Sequence, residues 1–202
     1  MNPIMCTTKP NNLVEGINQL KINPEDIHFI NRNIVDSKLP EYHDIGTKLL
    51  QLLPYVAIKC GNEYLTYNRK GSEDRLHGTC SGSNPCSGPN QCSMGFGGHV
   101  ELQDVQDTVE HTIAITAVRE LVEELGLKAP LVLTGDYIYS EYDNVSQVHL
   151  GVVGLVEIDD KSLIKPDELE IINPEWKTLN SIRGRLDSYE KWSQILAKHL
   201  DK

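Results

Sequence analysis

Three glutamates carry the most chemistry per residue in this chain: Glu120, Glu123 and Glu124 stand at i, i+3 and i+4. On a helix that spacing puts their side chains on one face. Like charges so close repel unless a cation sits among them, and hard divalent ions take oxygen ligands of this kind. Glutamate is also a good helix former, so a solvated acidic face is the plain alternative. The preceding run Gly97-Gly98-His99-Val100-Glu101 weighs against that alternative. Paired glycines let the backbone turn and approach a ligand closely, and a carbonyl there could complete the shell of a metal ion.

The glutamates need a helix to hold them. From about Thr112 to Leu125 the period is helical, with Ala114, Ala117, Val118, Leu121, Val122 and Leu125 spaced for one apolar face and Gly126 placed as the C-cap. Upstream, Tyr55–Cys60 and Glu63–Tyr67 flank Gly61-Asn62 and predict a hairpin. Between Lys70 and Ser93 glycine, serine, asparagine, proline and cysteine predict a loop. Leu131–Thr134, Tyr137–Ser140 and Val148–Ile158 are strand candidates, and Ser188–Leu200 predicts a closing amphipathic helix. In residues 1 to 50, Asn23 before Pro24, Glu25 and Asp26 suggests a capped helix start.

The helix and the glycine bend together resemble the Nudix box: Gly, five residues, Glu, seven residues, Arg-Glu, an aliphatic, any residue, Glu-Glu, any residue, Gly and an aliphatic. Arg119-Glu120-Leu121-Val122-Glu123-Glu124-Leu125-Gly126-Leu127 matches its second half in full. Gly98 lies seven residues further from Arg119 than the box prescribes, which implies an insertion. Counted from Gly98, the first box glutamate falls on Asp104; counted back from Arg119, it falls on His111, beside Glu110. Arg75-Leu76-His77-Gly78 and Ser93–His99 resemble a subgroup of Nudix phosphoesterases.

The resemblance, covering roughly residues 54 to 200, implies an α/β (α+β) Nudix fold with a mixed β-sheet sandwiched between helices. It further implies a pyrophosphohydrolase whose Glu120, Glu123, Glu124 and Gly97 carbonyl bind Mg2+ or Mn2+. Arg119 would hold the carboxylates by ion pairs, and Glu120 would bind metal or orient water. Such ions neutralise a diphosphate and lower the pKa of attacking water. The expected substrate is a small nucleotide, a nucleoside diphosphate linked to another moiety. Glu168 and Glu170 are candidates for the general base; Arg69, Arg75 and His99 are candidates for contacts with substrate.

The domain reading is an N-terminal helical extension over 1–50 packed on the core, then a Nudix domain over 51–202 with an inserted Cys/Gly/Ser-rich loop at about 78–93. Cys80, Cys86 and Cys92, with His77 and His99 nearby, could form a structural zinc site, although the five-residue gaps are too wide for paired knuckles. Two rival functions stay open: a nucleotide-binding module of this fold without hydrolysis, and an enzyme like isopentenyl diphosphate isomerase.

Charge and length bound the rest. Against 19 basic residues stand 29 acidic ones, a formal charge of −10, which disfavours long nucleic acids. No run approaches a membrane span and no signal segment opens the chain, so a cytoplasmic protein with reduced thiols is expected, with a homodimer left open.

Overall fold

β4 (Leu49–Cys60) is the axis of the molecule, a nearly continuous apolar run covered on both faces, as a strand in mixed or parallel pairing requires. A computed structural model of the chain describes residues 3–35, 48–69, 92–142, 146–167 and 171–201. The strands around β4 are β1 (Pro3–Thr8), β2 (Gly16–Gln19), β3 (Ile27–Asn31), β5 (Glu63–Arg69), β6 (Cys92–Ser93), β7 (Leu131–Tyr139), β8 (His149–Ile158) and β9 (Ile171–Thr178). The helices are α1 (Arg32–Val35), α2 (Val109–Leu125), α3 (Leu179–Arg183) and α4 (Lys191–His199).

Among the described residues the strands form one mixed sheet in the order β2-β7-β8-β4-β1-β3, with β5 carrying β9 and β6 on the other part of β4. β4 and β8 run parallel from Gln51 opposite His149 to Cys60 opposite Ile158. The remaining pairs are antiparallel. Between these two strands the chain passes through α2, which packs on one face of the sheet while α4 packs on the other. Alternation along β4 makes the layers. Leu50, Leu52, Val56 and Ile58 share clusters with Ile113, Ala117, Leu121 and Leu125 of α2, whereas Tyr55 and Ala57 join Leu196 and Ala197 of α4.

The first 35 residues correct the expected helical extension. Only one 3-10 turn, Pro24–Asp26, follows Asn23, and α1 has four residues. Ile4, Met5 and Cys6 are instead buried in β1, which pairs with both β3 and β4, so this segment is part of the sheet and not an addition to it. The burial gained by joining the sheet outweighs the local capping signal.

The hairpin at Gly61, the strand over 149–158 and the last helix lie as expected. The two short strands expected at 131–134 and 137–140 are one strand, β7, with an irregular register between Leu133 and Tyr137 where Gly135 has φ +83°. No helix among the described residues is long and apolar enough to cross a membrane.

Candidate active site

The 17 residues of α2 start on Thr108, whose side chain accepts from the His111 amide, and end on Gly126 in the left-handed region at φ +60°. Its buried stripe is Ile113, Ala117, Leu121 and Leu125, joined by Thr112 and Thr116. Val118, expected on that face, is 38% exposed. Four carbonyls at the helix end are taken up: Leu127 N donates to Leu121 O, Gly126 N to Val122 O, Asp167 N to Glu124 O and Lys165 N to Leu125 O. That fixes the turn bearing Glu123 and Glu124.

Facing this helix is the bend after β6. Phe96 exchanges both backbone hydrogen bonds with Val56, at 2.8 and 3.0 Å, which seats the following glycines against β4. Gly97 has φ +147°, and a Cβ on it would overlap the Pro54 carbonyl. A Cβ on Gly98 would overlap the Glu120 carboxylate. The paired glycines therefore allow a direct approach of the Glu120 carboxylate to the backbone.

Arg119 ties the two parts together with all five of its N–H donors. Nε and Nη2 hold the two oxygens of Asp104 at 3.0 and 2.9 Å; Nη1 reaches Glu120 Oε1 at 2.7 Å and Glu123 Oε2 at 3.2 Å; Nη2 also donates to the His99 carbonyl at 3.2 Å. Asp104 is 3% exposed and accepts in addition from Thr116 Oγ1 and the Glu101 amide. Of the two positions that motif counting offered for the missing box glutamate, the structure gives the arginine's partner as Asp104. His111 and Glu110 are exposed in the first turn of α2.

The charges follow from this packing. Burial pushes the Asp104 carboxyl up, but the hydrogen bonds from Arg119, the Glu101 amide and Thr116 outweigh it, and the group lies below the ordinary carboxylate range. Asp104 therefore contributes full stability above its unfolded value of about 4. That contribution disappears as the pH falls through the lower folded value. Asp104→Ala should cost about 3 kcal/mol, because it removes two hydrogen bonds from the half-buried guanidinium and takes the buried acceptor from the Thr116 hydroxyl and the Glu101 amide. Acid titration followed by circular dichroism should show a flatter low-pH limb in the variant; identical limbs would contradict the pairing.

Glu120 moves the opposite way: burial raises its carboxyl more than Arg119 lowers it, and Glu123 and Asp104 add to the rise. Glu120 is more enclosed than Glu123, at 15% against 58% of the side chain, while one oxygen of Glu124, Oε2, is buried. Among the described residues no three His, Cys, Asp or Glu side chains stand together as a cation cage. Glu120 and Glu123 converge on the guanidinium. The donor set is nonetheless all oxygen, two carboxylates already bridge one cationic Nη1, and the bend leaves room for the Glu120 carboxylate, so the residues fit a hard divalent ion.

The other expected site residues divide. His99 stands on the bend, but its ring turns from Glu120 to Gln51, with Nε2 to Oε1 at 2.9 Å. Burial, then Arg32 and His149, hold its pKa at about 3, so the ring is neutral. Arg69 closes β5 opposite Ile171; its side chain, and all of Arg75, Glu168 and Glu170, lie outside the described residues. So do His77, Cys80, Cys86 and most of the inserted loop. Cys92 is described: its thiol donates to Asn68 Oδ1, and burial pushes its pKa up.

Sequence comparison gives Protein YmaB of Bacillus subtilis (strain 168), 28% identical over 159 residues and covering 75% of this chain and 71% of YmaB. No family model matches the sequence. Among solved structures, Tm1382, a protein taken to be a Nudix hydrolase, superposes with a TM-score of 0.66 at 24% identity over 98% of this chain and 97% of its own. The chain has the Nudix fold. DR0079 from Deinococcus radiodurans agrees at a TM-score of 0.52 and 14% identity, over 75% of this chain and 83% of DR0079. Within the Nudix fold of this chain, α2 and its C-cap carry the matching Arg119–Leu127 run, and Gly98 of the bend lies against Glu120.

Proposed function

We propose that the chain is a divalent-metal-dependent Nudix pyrophosphohydrolase that cleaves the pyrophosphate bond of a nucleoside diphosphate linked to another moiety. The observation that carries this reading is the approach of Glu120 to Gly98, which sets the acidic face of α2 against the bend. Glu120, Glu123, Glu124 and the Gly97 carbonyl would hold Mg2+ or Mn2+. When bound, such ions neutralise the diphosphate, stabilise charge on the leaving phosphate and lower the pKa of the attacking water.

The chain's own groups divide the remaining work. Arg119, fixed by Asp104, orients Glu120 and Glu123 and offsets the repulsion between them. Glu120, whose carboxyl is raised by burial, gains most from a nearby cation. Glu168 and Glu170 are proposed as sources of the general base, and Arg69 and Arg75 as contacts to substrate phosphates. We place the reaction in the cytoplasm.

The test is incubation with Mg2+ or Mn2+ and a panel of ADP-ribose, dinucleoside polyphosphates, NADH and nucleoside triphosphates, followed by phosphate or monophosphate release. Metal-dependent release from at least one compound is expected. Thermal stabilisation by a nucleotide without any turnover would overturn hydrolysis and favour a binding module.

A further inference from the structure

The segment after the Phe96–Val56 bridge presents neighbouring residues to opposite faces of the sheet. Gly98 lies against Glu120 on the α2 side. His99 sends its ring to the other side, where Nε2 bonds Gln51 Oε1 and the ring stands edge-on to His149 at 5.9 Å between centroids. Gln51 and His149 are register partners in the parallel pair β4 and β8, at 0% and 7% exposure. Gln51 alternates with Leu50 and Leu52, which face α2, so the bond lies behind the sheet as seen from Glu120. Because an amide oxygen only accepts, Nε2 is the donor and carries the proton.

The backbone of the same residue belongs to the front. Its carbonyl accepts from Arg119 Nη2 at 3.2 Å. His99 is thereby fastened at both ends, by its ring to the central strands and by its carbonyl to the guanidinium that positions Glu120 and Glu123. The bend between these fastenings and the Phe96–Val56 pairing has little freedom to move along α2.

We propose that His99 is a positioning residue: its ring, held by Gln51, sets where the Gly97–Gly98 bend stands relative to Glu120 and thereby sets the affinity for a divalent cation, without contacting substrate. The inference rests on the bend and α2 forming the cation seat proposed above. It replaces the expectation that the His99 ring meets substrate.

The test measures Mn2+ binding to the full-length chain without nucleotide, by the loss of the free Mn2+ electron paramagnetic resonance signal. Gln51→Asn shortens the acceptor by one methylene and keeps its polarity; His99→Phe keeps the ring and removes the bond. Each should weaken Mn2+ about tenfold, as loss of an outer partner of a metal site does. The double variant should lose no more than the worse single one, since both remove the same bond. Leu196→Ala, in the α4 cluster, is the control for lost stability and should leave Mn2+ affinity unchanged.

Wild-type affinity in Gln51→Asn and His99→Phe, or an equal loss in the Leu196 control, would overturn the positioning role and leave the hydrolase reading standing. Failure of the wild-type chain itself to bind Mn2+ would remove the seat and this inference together. On the nucleotide turned over by the wild type, saturating Mn2+ should restore kcat in Gln51→Asn with KM for nucleotide unchanged. A raised nucleotide KM at saturating metal would instead assign the ring to substrate.

Discussion

Glu123→Gln and Glu124→Gln should each lower turnover about a hundredfold or more, the scale of removing one preorganised charge contact from a transition state. Glutamine keeps the shape of the side chain and removes the anionic oxygen that a Mg2+-like ion requires. Folding should hardly change. Glu123 is 58% exposed and meets Arg119 only through Nη1, a pair worth at most about 0.5 kcal/mol once solvent screening is counted. That corresponds to a shift in Tm of about 1–2 °C for a chain of this size. Steady-state kinetics and calorimetry on the same preparations separate the two effects, and wild-type rates in either variant would remove these carboxylates from the catalytic account.

The second large effect distinguishes two adjacent glycines. In Gly98→Ala the new Cβ overlaps only the end of the Glu120 side chain, which can swing aside. The fold should survive, and activity should drop about a hundredfold because Glu120 no longer lies against the bend. In Gly97→Ala the conflict is with the Pro54 carbonyl, and φ +147° is a conformation that a side chain rarely adopts. The backbone conformation alone costs about 1–3 kcal/mol, and the overlap adds to it. Gly97→Ala should therefore appear as lost thermal stability, and Gly98→Ala as lost turnover at nearly unchanged Tm. Equal loss of stability in both would mean that the bend serves the fold rather than the site.

The second half of the box was legible because its geometry is local: Glu120, Glu123 and Glu124 need only one helix to share a face. The first half was not, since a count along the chain could not choose between Asp104 and His111 for the position of the first box glutamate.

Apolar periodicity also misplaced part of the helix face. Thr112 and Thr116 are buried because each hydroxyl returns a bond to the carbonyl four residues earlier, Thr108 and Thr112 respectively. Polar residues satisfied in that way do not announce themselves as core, and apolar spacing alone points to the exposed Val118 instead. β1 was hidden for another reason: its register against Gln51, Leu50 and Leu49 joins segments more than 40 residues apart, and pairing with β3 and β4, not local pattern, decides strand over helix. Gln51 was the one polar residue inside the Leu49–Ile58 run, and its bond to His99 is the feature that a local pattern had no means to reveal.

Anomalous scattering from crystals soaked in Mn2+ tests the central claim most directly. The peak should lie between the Gly97 carbonyl and the carboxylates of Glu120, Glu123 and Glu124, and should vanish in Glu123→Gln with the fold intact. A Mn2+ peak away from α2, or hydrolysis that continues undiminished in excess chelator, would contradict it.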